Sequence, residues 1–250
     1  MSDPVYLDTP EGRRIAYRFS EGSAPTVVFL GGFLSDMAGT KALALEAHCR
    51  LLGQAFLRLD YSGHGASEGE FADGTIGSWR DDTLAVIGAV TSGSLVLIGS
   101  SMGGWIALLV ALALPDRVSG LIGIAAAPDF TDKLMWENFS ESQRREIMED
   151  GSTELASDYG DAPTIITRAL IEDGRRHCLL DSEIALQIPV RLIHGMQDED
   201  VPWDWSMRIA GRLAGGDVDV TLVKGGGHSL SGPGDLARLT SILDGLLDTL

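Results

Sequence analysis

Residues 83–115 contain no charged side chain, and this run restricts the folds open to the 250-residue chain more than any other feature. Its 33 residues would in principle cross a bilayer. Two turn-forming stretches, TSGS (91–94) and GSSMGG (99–104), divide it. LVLI (95–98), left between them, is too short to span, and WIALLVALAL (105–114) has the length of a buried core helix. A parallel strand covered on both faces, with a helix packed behind it, produces this pattern. No membrane span is expected.

Strand-like and helix-like segments alternate around that run. YLDTPEGRRIAYRF (6–19) reads as a hairpin around a Thr-Pro-Glu-Gly turn. TVVFLGG (26–32), AFLRLD (55–60), SLVLIGS (94–100), VSGLIGIAAA (118–127), VRLIHG (190–195) and VDVTLVKGG (218–226) read as strands. Helices are expected over 40–53 (stopped by Gly53), 78–90, 104–114 (ended by Pro115), 203–215 and 234–250. This rhythm implies an α/β fold with a mostly parallel central sheet and helices on both faces. Residues 128–187 interrupt it with more charged, helical sequence. Ser140 and Gln143 form a capping box before ESQRREIMED, and Gly151 closes that helix. Pro163 suits the first turn of a helix over TIITRALIED, closed by Gly174. The expected organisation is a core of 1–127 and 188–250 with a helical cap over 128–187; the alternative is a peripheral decoration.

A net charge of −17 and a pI near 4.5 argue against binding nucleic acid or anionic lipid, both of which need a basic face. Two cysteines, Cys49 and Cys178, cannot make a disulfide scaffold and fit a reducing compartment. The first residues, MSDPVYLDTPEG, carry no apolar or Arg-rich leader, so a cytoplasmic location is expected.

Two stretches fit the serine-hydrolase pattern G-x-S-x-G: GASEG (65–69) and GSSMG (99–103). A nucleophile elbow needs a strand, a tight turn and a helix, so that the serine oxygen stands above the sheet. Ser101 has all three, and the helix after it points its positive end at the site. Ser67 has no strand directly before it, and EGEFADGT after it cannot begin a long helix. Ser101 is therefore the expected nucleophile.

The partners should follow in the order Ser, acid, His, each past a strand end. His228, in KGGGHSL, follows the last strand in a Gly-rich loop. His64 is in the wrong order, His48 and His177 suit surface roles, and His194 ends an apolar strand as a satisfied core residue would. HGMQDEDVPW (194–203) offers the acid: Asp198 is the first choice and Asp200 the reserve. Asp200 directly precedes Val201-Pro202, where the chain turns toward its next helix. The acidic cluster lacks the loop spacing of a calcium hand, and the chain has no H-x-x-x-H or C-x-x-C pair, so neither metal nor cofactor is expected. An oxyanion hole would take backbone N–H groups from Met102 and from Phe33 in the GGF turn. Trp105 near the elbow, with Phe130, Leu134, Met135 and Trp136 in the inserted segment, would line an apolar substrate pocket; the alternative for residues at such spacing is plain core.

With VVFLGGF, RLDYSGHGASEG, LIGSSMGGW, RLIHGMQDEDVPW and GGGHSL in this order, the chain resembles the serine hydrolases of the α/β-hydrolase superfamily. GTKALALEAHCR, HCLL and SMRIA make it similar to the mitochondrial palmitoyl-protein thioesterase and acyl-glucuronide esterase group within it. The resemblance implies that Ser101, Asp198 and His228 take the catalytic positions, and that Ser67 belongs to a structural turn. It also implies hydrolysis of a small-molecule acyl ester or thioester through an acyl-enzyme. Gly31-Gly32 stands where the superfamily often has His-Gly. Carbon–carbon bond hydrolysis, perhydrolysis or a non-catalytic ligand-binding role are the alternatives on the same fold.

Overall fold

Eight strands form one sheet in the computed structural model, which describes residues 3–156 and 163–250. Strands β1 (Val5–Asp8) and β2 (Arg14–Ser20) are the expected hairpin. Then come β3 (Ser23–Leu30), α1 (Thr40–Leu52), β4 (Gln54–Leu59), α2 (Ile76–Val90), β5 (Leu95–Ser100), α3 (Met102–Ala113) and β6 (Val118–Ile124). The inserted segment holds α4 (Glu141–Glu149), β7 (Ser152–Leu155), β8 (Thr164–Thr167) and α5 (Arg168–Arg176). The chain closes with β9 (Val190–Gly195), α6 (Asp204–Arg212), β10 (Val218–Val223) and α7 (Pro233–Leu247). The sheet order is β1-β2-β4-β3-β5-β6-β9-β10, parallel from β4 to β10, with β2 antiparallel to both its neighbours.

The uncharged run is explained by its place in this sheet. Leu95 and Leu97 of β5 face one core with Trp79, Trp105, Val110 and Ile209, from α2, α3 and α6. Val96 and Ile98 face the other, with Leu45 and Cys49 of α1 and Leu239 and Leu243 of α7. A strand with no solvent face has no position for a charge. Burying each of these side chains stabilises the fold by about 1.5–3 kcal/mol. No helix among the described residues is long and apolar enough to cross a membrane.

The inserted segment departs from expectation. Helix α4 begins at the Ser140–Gln143 capping box, and Gly151 follows its end at a φ of 92°. Residues 164–167, expected as a helical turn after Pro163, instead pair with β7 as an antiparallel strand. Thr164, Ile165, Ile166 and Thr167 are all β-branched, stiff at χ1 and suited to a pleated surface. The helix starts only at Arg168, where the Thr167 hydroxyl accepts the Leu170 N–H. Gly174 lies inside α5 rather than ending it; a Cβ there would run into Thr131 Oγ1, so its bareness serves a close approach. The two ends of the segment are tied together by Asp129. Its buried carboxylate accepts the N–H groups of Leu179 (2.7 Å) and Leu180 (2.9 Å).

Candidate active site

Ser101 sits between β5 and α3 with φ 54° and ψ −121°, a conformation costing a non-Gly residue about 1–3 kcal/mol. The glycines around it make so sharp a turn possible. A Cβ on Gly99 would strike the Gly103 carbonyl, and one on Gly103 would strike the Leu30 carbonyl. Ser67 is occupied elsewhere, since its hydroxyl donates to the Asp60 carbonyl (2.6 Å) and accepts the Ala16 N–H (2.8 Å). The first ties the turn to the end of β4 and the second ties it to β2.

The loops after β5, β9 and β10 meet at the carboxyl edge of the sheet, the usual ligand edge of such a fold. His228 Nε2 lies 3.0 Å from Ser101 Oγ, and Nδ1 lies 2.8 Å from Asp198 Oδ2. With the ring proton on Nδ1, His228 donates to the carboxylate and accepts from the serine hydroxyl. Two glycines allow this approach: a Cβ on Gly195 would meet the Gly226 carbonyl, whose oxygen also accepts the Gln197 N–H at 2.8 Å. The His228 loop is further held by Lys41, whose ammonium donates to the Ser229 carbonyl.

The structure brings Asp198 to His228 and leaves Asp200 exposed at the rim. Asp200 contributes its backbone N–H to Asp198 Oδ1 (2.9 Å), beside that of Val201 (2.8 Å). Burial alone would raise the Asp198 pKa. The hydrogen bonds from His194, His228 and the Val201 N–H outweigh it and hold the carboxyl well below the usual carboxylate range. Ligand atoms of Asp198, Asp200 and His228 lie within 4.8 Å of one another. Four N–H groups already occupy the Asp198 oxygens, which suits an acid–base relay better than a cation cage.

Met102 opens α3, where the first N–H groups have no intrahelical acceptor. Phe33 follows Gly32, whose Cα faces Ser101 so closely that an added Cβ would stand 3.3 Å from Ser101 Cβ. A cavity of about 360 Å³ opens above Ser101 and His228, and Phe33, Phe130, Leu134 and Met135 line it. Two expected lining residues lie outside it. Trp105 is fully buried behind Phe130, its ring 5.8 Å away and its Nε1–H donated to the His177 carbonyl. Trp136 is half-buried against the core, with the Arg175 guanidinium 4.6 Å from its ring. Helical position near the site did not determine where these large rings point.

Two residues at the site were missed by the sequence reading. Lys41 lines the cavity from the first turn of α1. Burial lowers its pKa, partly opposed by Asp235. A lysine at the positive end of a helix is electrostatically out of place, and that was the available signal. The other is His194, a satisfied core histidine as expected, but one of its partners is Asp198.

The alpha/beta hydrolase fold family matches residues 25–169. Palmitoyl-protein thioesterase ABHD10, mitochondrial, of Mus musculus is 41% identical over 246 residues, covering 98% of this chain and 82% of that protein. The Homo sapiens protein of the same name is 39% identical, over 98% of this chain and 80% of its own length. Among solved structures, alpha/beta hydrolase domain-containing protein 10 from mouse superposes with a TM-score of 0.91 at 40% identity, covering 99% of both chains. These relatives overturn the expected cytoplasmic location, since they are named as mitochondrial. Free Cys49 and Cys178 fit a reducing environment, a property the cytosol shares with other compartments and therefore too coarse to select one. Extended over nearly its whole length by these likenesses, the chain belongs to the alpha/beta hydrolase fold family and is a hydrolase.

Proposed function

We propose that the chain is a serine hydrolase that cleaves carboxylic esters or thioesters through an acyl-enzyme on Ser101. The observation that carries this reading is the unbroken line from Ser101 Oγ through the His228 ring to the buried Asp198 carboxylate, at 3.0 and 2.8 Å. His228 takes the Ser101 proton as the serine oxygen bonds to the acyl carbon, and Asp198 stabilises the imidazolium that forms. The Phe33 and Met102 N–H groups receive the negative charge on the carbonyl oxygen; losing one such donor typically costs about 3 kcal/mol. The tetrahedral intermediate expels the alcohol or thiol, which takes the proton from His228. Water then attacks the acyl-enzyme with His228 as base, releasing the carboxylic acid and restoring Ser101.

Residues 128–187 serve as a cap on the core of 1–127 and 188–250. Phe130, Leu134 and Met135 at the start of that segment give the cavity an apolar wall suited to an acyl chain. The palmitoyl-protein thioesterase relatives support an acyl thioester as substrate. Labelling with a fluorophosphonate tests the nucleophile: the wild type and Ser67→Ala take up label, while Ser101→Ala does not. A labelled Ser101→Ala protein would overturn the assignment. A panel of acyl thioesters and p-nitrophenyl esters of graded length then identifies the acyl preference.

A further inference from the structure

Asp198 Oδ2 receives two imidazoles, and the reaction described above uses only one of them. The second is His194, fully buried at the end of β9. Its Nε2 lies 3.1 Å from Asp198 Oδ2 and 3.0 Å from the Val201 carbonyl oxygen. Both are acceptors, so this nitrogen carries a proton and shares it between them. Its Nδ1, left as the acceptor, lies 2.8 Å from Ser206 Oγ on α6, which donates its hydroxyl proton there. A leucine would fill this space without the cost of burying a polar ring. The ring's two nitrogens are instead both satisfied, and one bond ends on the very oxygen that holds His228.

We propose that His194 is a positioning residue: with Ser206 behind it, it fixes the orientation and hydrogen-bonding strength of Asp198 toward His228. The proposal rests on the serine-hydrolase reading above. Without the His194 N–H, Oδ2 would keep a lone pair free and the carboxylate could rotate about its remaining bonds. Less of its charge would then be satisfied, and it would hold the His228 cation more tightly. Other titratable groups facing the pair are Asp200, at the rim within 4.8 Å, and Lys41, which reaches the loop through the Ser229 carbonyl. Neither donates a side-chain hydrogen to Asp198, so neither substitutes for His194.

The experiment compares wild type, His194→Leu, His194→Gln and Ser206→Ala, each checked for folding by circular dichroism, on one p-nitrophenyl ester across pH. In His194→Leu, kcat is expected to fall roughly 10- to 100-fold with KM within about twofold, as misplacement of a catalytic group costs. The acid limb of the kcat/KM profile should move to higher pH. His194→Gln keeps an N–H donor and should recover most of the rate and the wild-type limb. Ser206→Ala, which keeps the ring but removes the hydroxyl that holds its Nδ1, should move the limb in the same direction by a smaller amount. It carries the test if His194→Leu does not fold. A folded His194→Leu with unchanged kcat, a lowered kcat with an unmoved limb, or an unmoved limb in Ser206→Ala overturns the proposal. Fluorophosphonate labelling of the wild type separates the two readings. Labelled Ser101 with unmoved limbs removes only the role of His194, whereas an unlabelled wild type removes the serine-hydrolase reading as well.

Discussion

Replacing Asp198 by asparagine tests the geometry most sharply, because the carboxylate is surrounded by donors alone. Oδ1 accepts the N–H groups of Asp200 and Val201, and Oδ2 accepts from His194 and His228. An asparagine has one acceptor oxygen, so its NH₂ must face one of these pairs. If it faces the histidines, His228 Nδ1 must become an acceptor. Nε2 then carries the proton and cannot take one from Ser101. If it faces the backbone pair, the exposed Asp200 N–H and the part-buried Val201 N–H lose their acceptor, and the Val201 group alone costs up to about 1–3 kcal/mol. The first arrangement avoids that backbone cost, and kcat should fall by on the order of 10²–10⁴. The depressed Asp198 pKa means that its stabilisation is complete at neutral pH and is lost only as pH falls through the folded value. A melting temperature taken near pH 7 therefore records the whole stability difference. Asp200→Asn, at an exposed rim position, should change kcat less than about tenfold. Kinetics on a p-nitrophenyl ester, with folding checked by circular dichroism, decides it: equal losses, or a larger loss in Asp200→Asn, would refute the assignment of Asp198.

Two further changes probe the elbow and the cap. Gly103→Ala pushes a Cβ into the Leu30 carbonyl, a backbone atom that cannot swing aside, and overpacking of this kind should cost about 1–3 kcal/mol or more. Chemical denaturation measures it, and a variant as stable as wild type would show that the turn relaxes. Asp129→Ala leaves the Leu179 and Leu180 N–H groups without their acceptor and should loosen residues 128–187. Long-chain thioesters should then lose rate several-fold more than the shortest esters; equal losses across the panel would reduce the segment to a decoration.

The strand, turn and helix around Ser101 were legible in the sequence because each is encoded within a few residues. Apolar runs, punctuating glycines and the tight turn between them are local signals, and the same contiguity separated Ser101 from the look-alike at Ser67. Chain order set His64 aside, and the Gly-rich loop after the last strand pointed to His228 among the five histidines. The short strand at 164–167 was misjudged although its β-branched residues pointed to it, because a strand needs a partner and its partner is β7, beyond an intervening stretch. Asp198 and Asp200 lie two apart, where strand alternation cannot separate them. Only the folded turn aims one side chain at His228 and makes the other residue donate its backbone N–H to the first. The same holds for His194, an ordinary core histidine in the sequence, and for Trp105 and Trp136, which pack in or against the core instead of lining the cavity. Such distances depend on the parallel register that sets His194 opposite Leu222 and Gly195 opposite Val223. That register joins residues far apart in the chain, and it is decided by the packing of the whole sheet rather than by any local pattern.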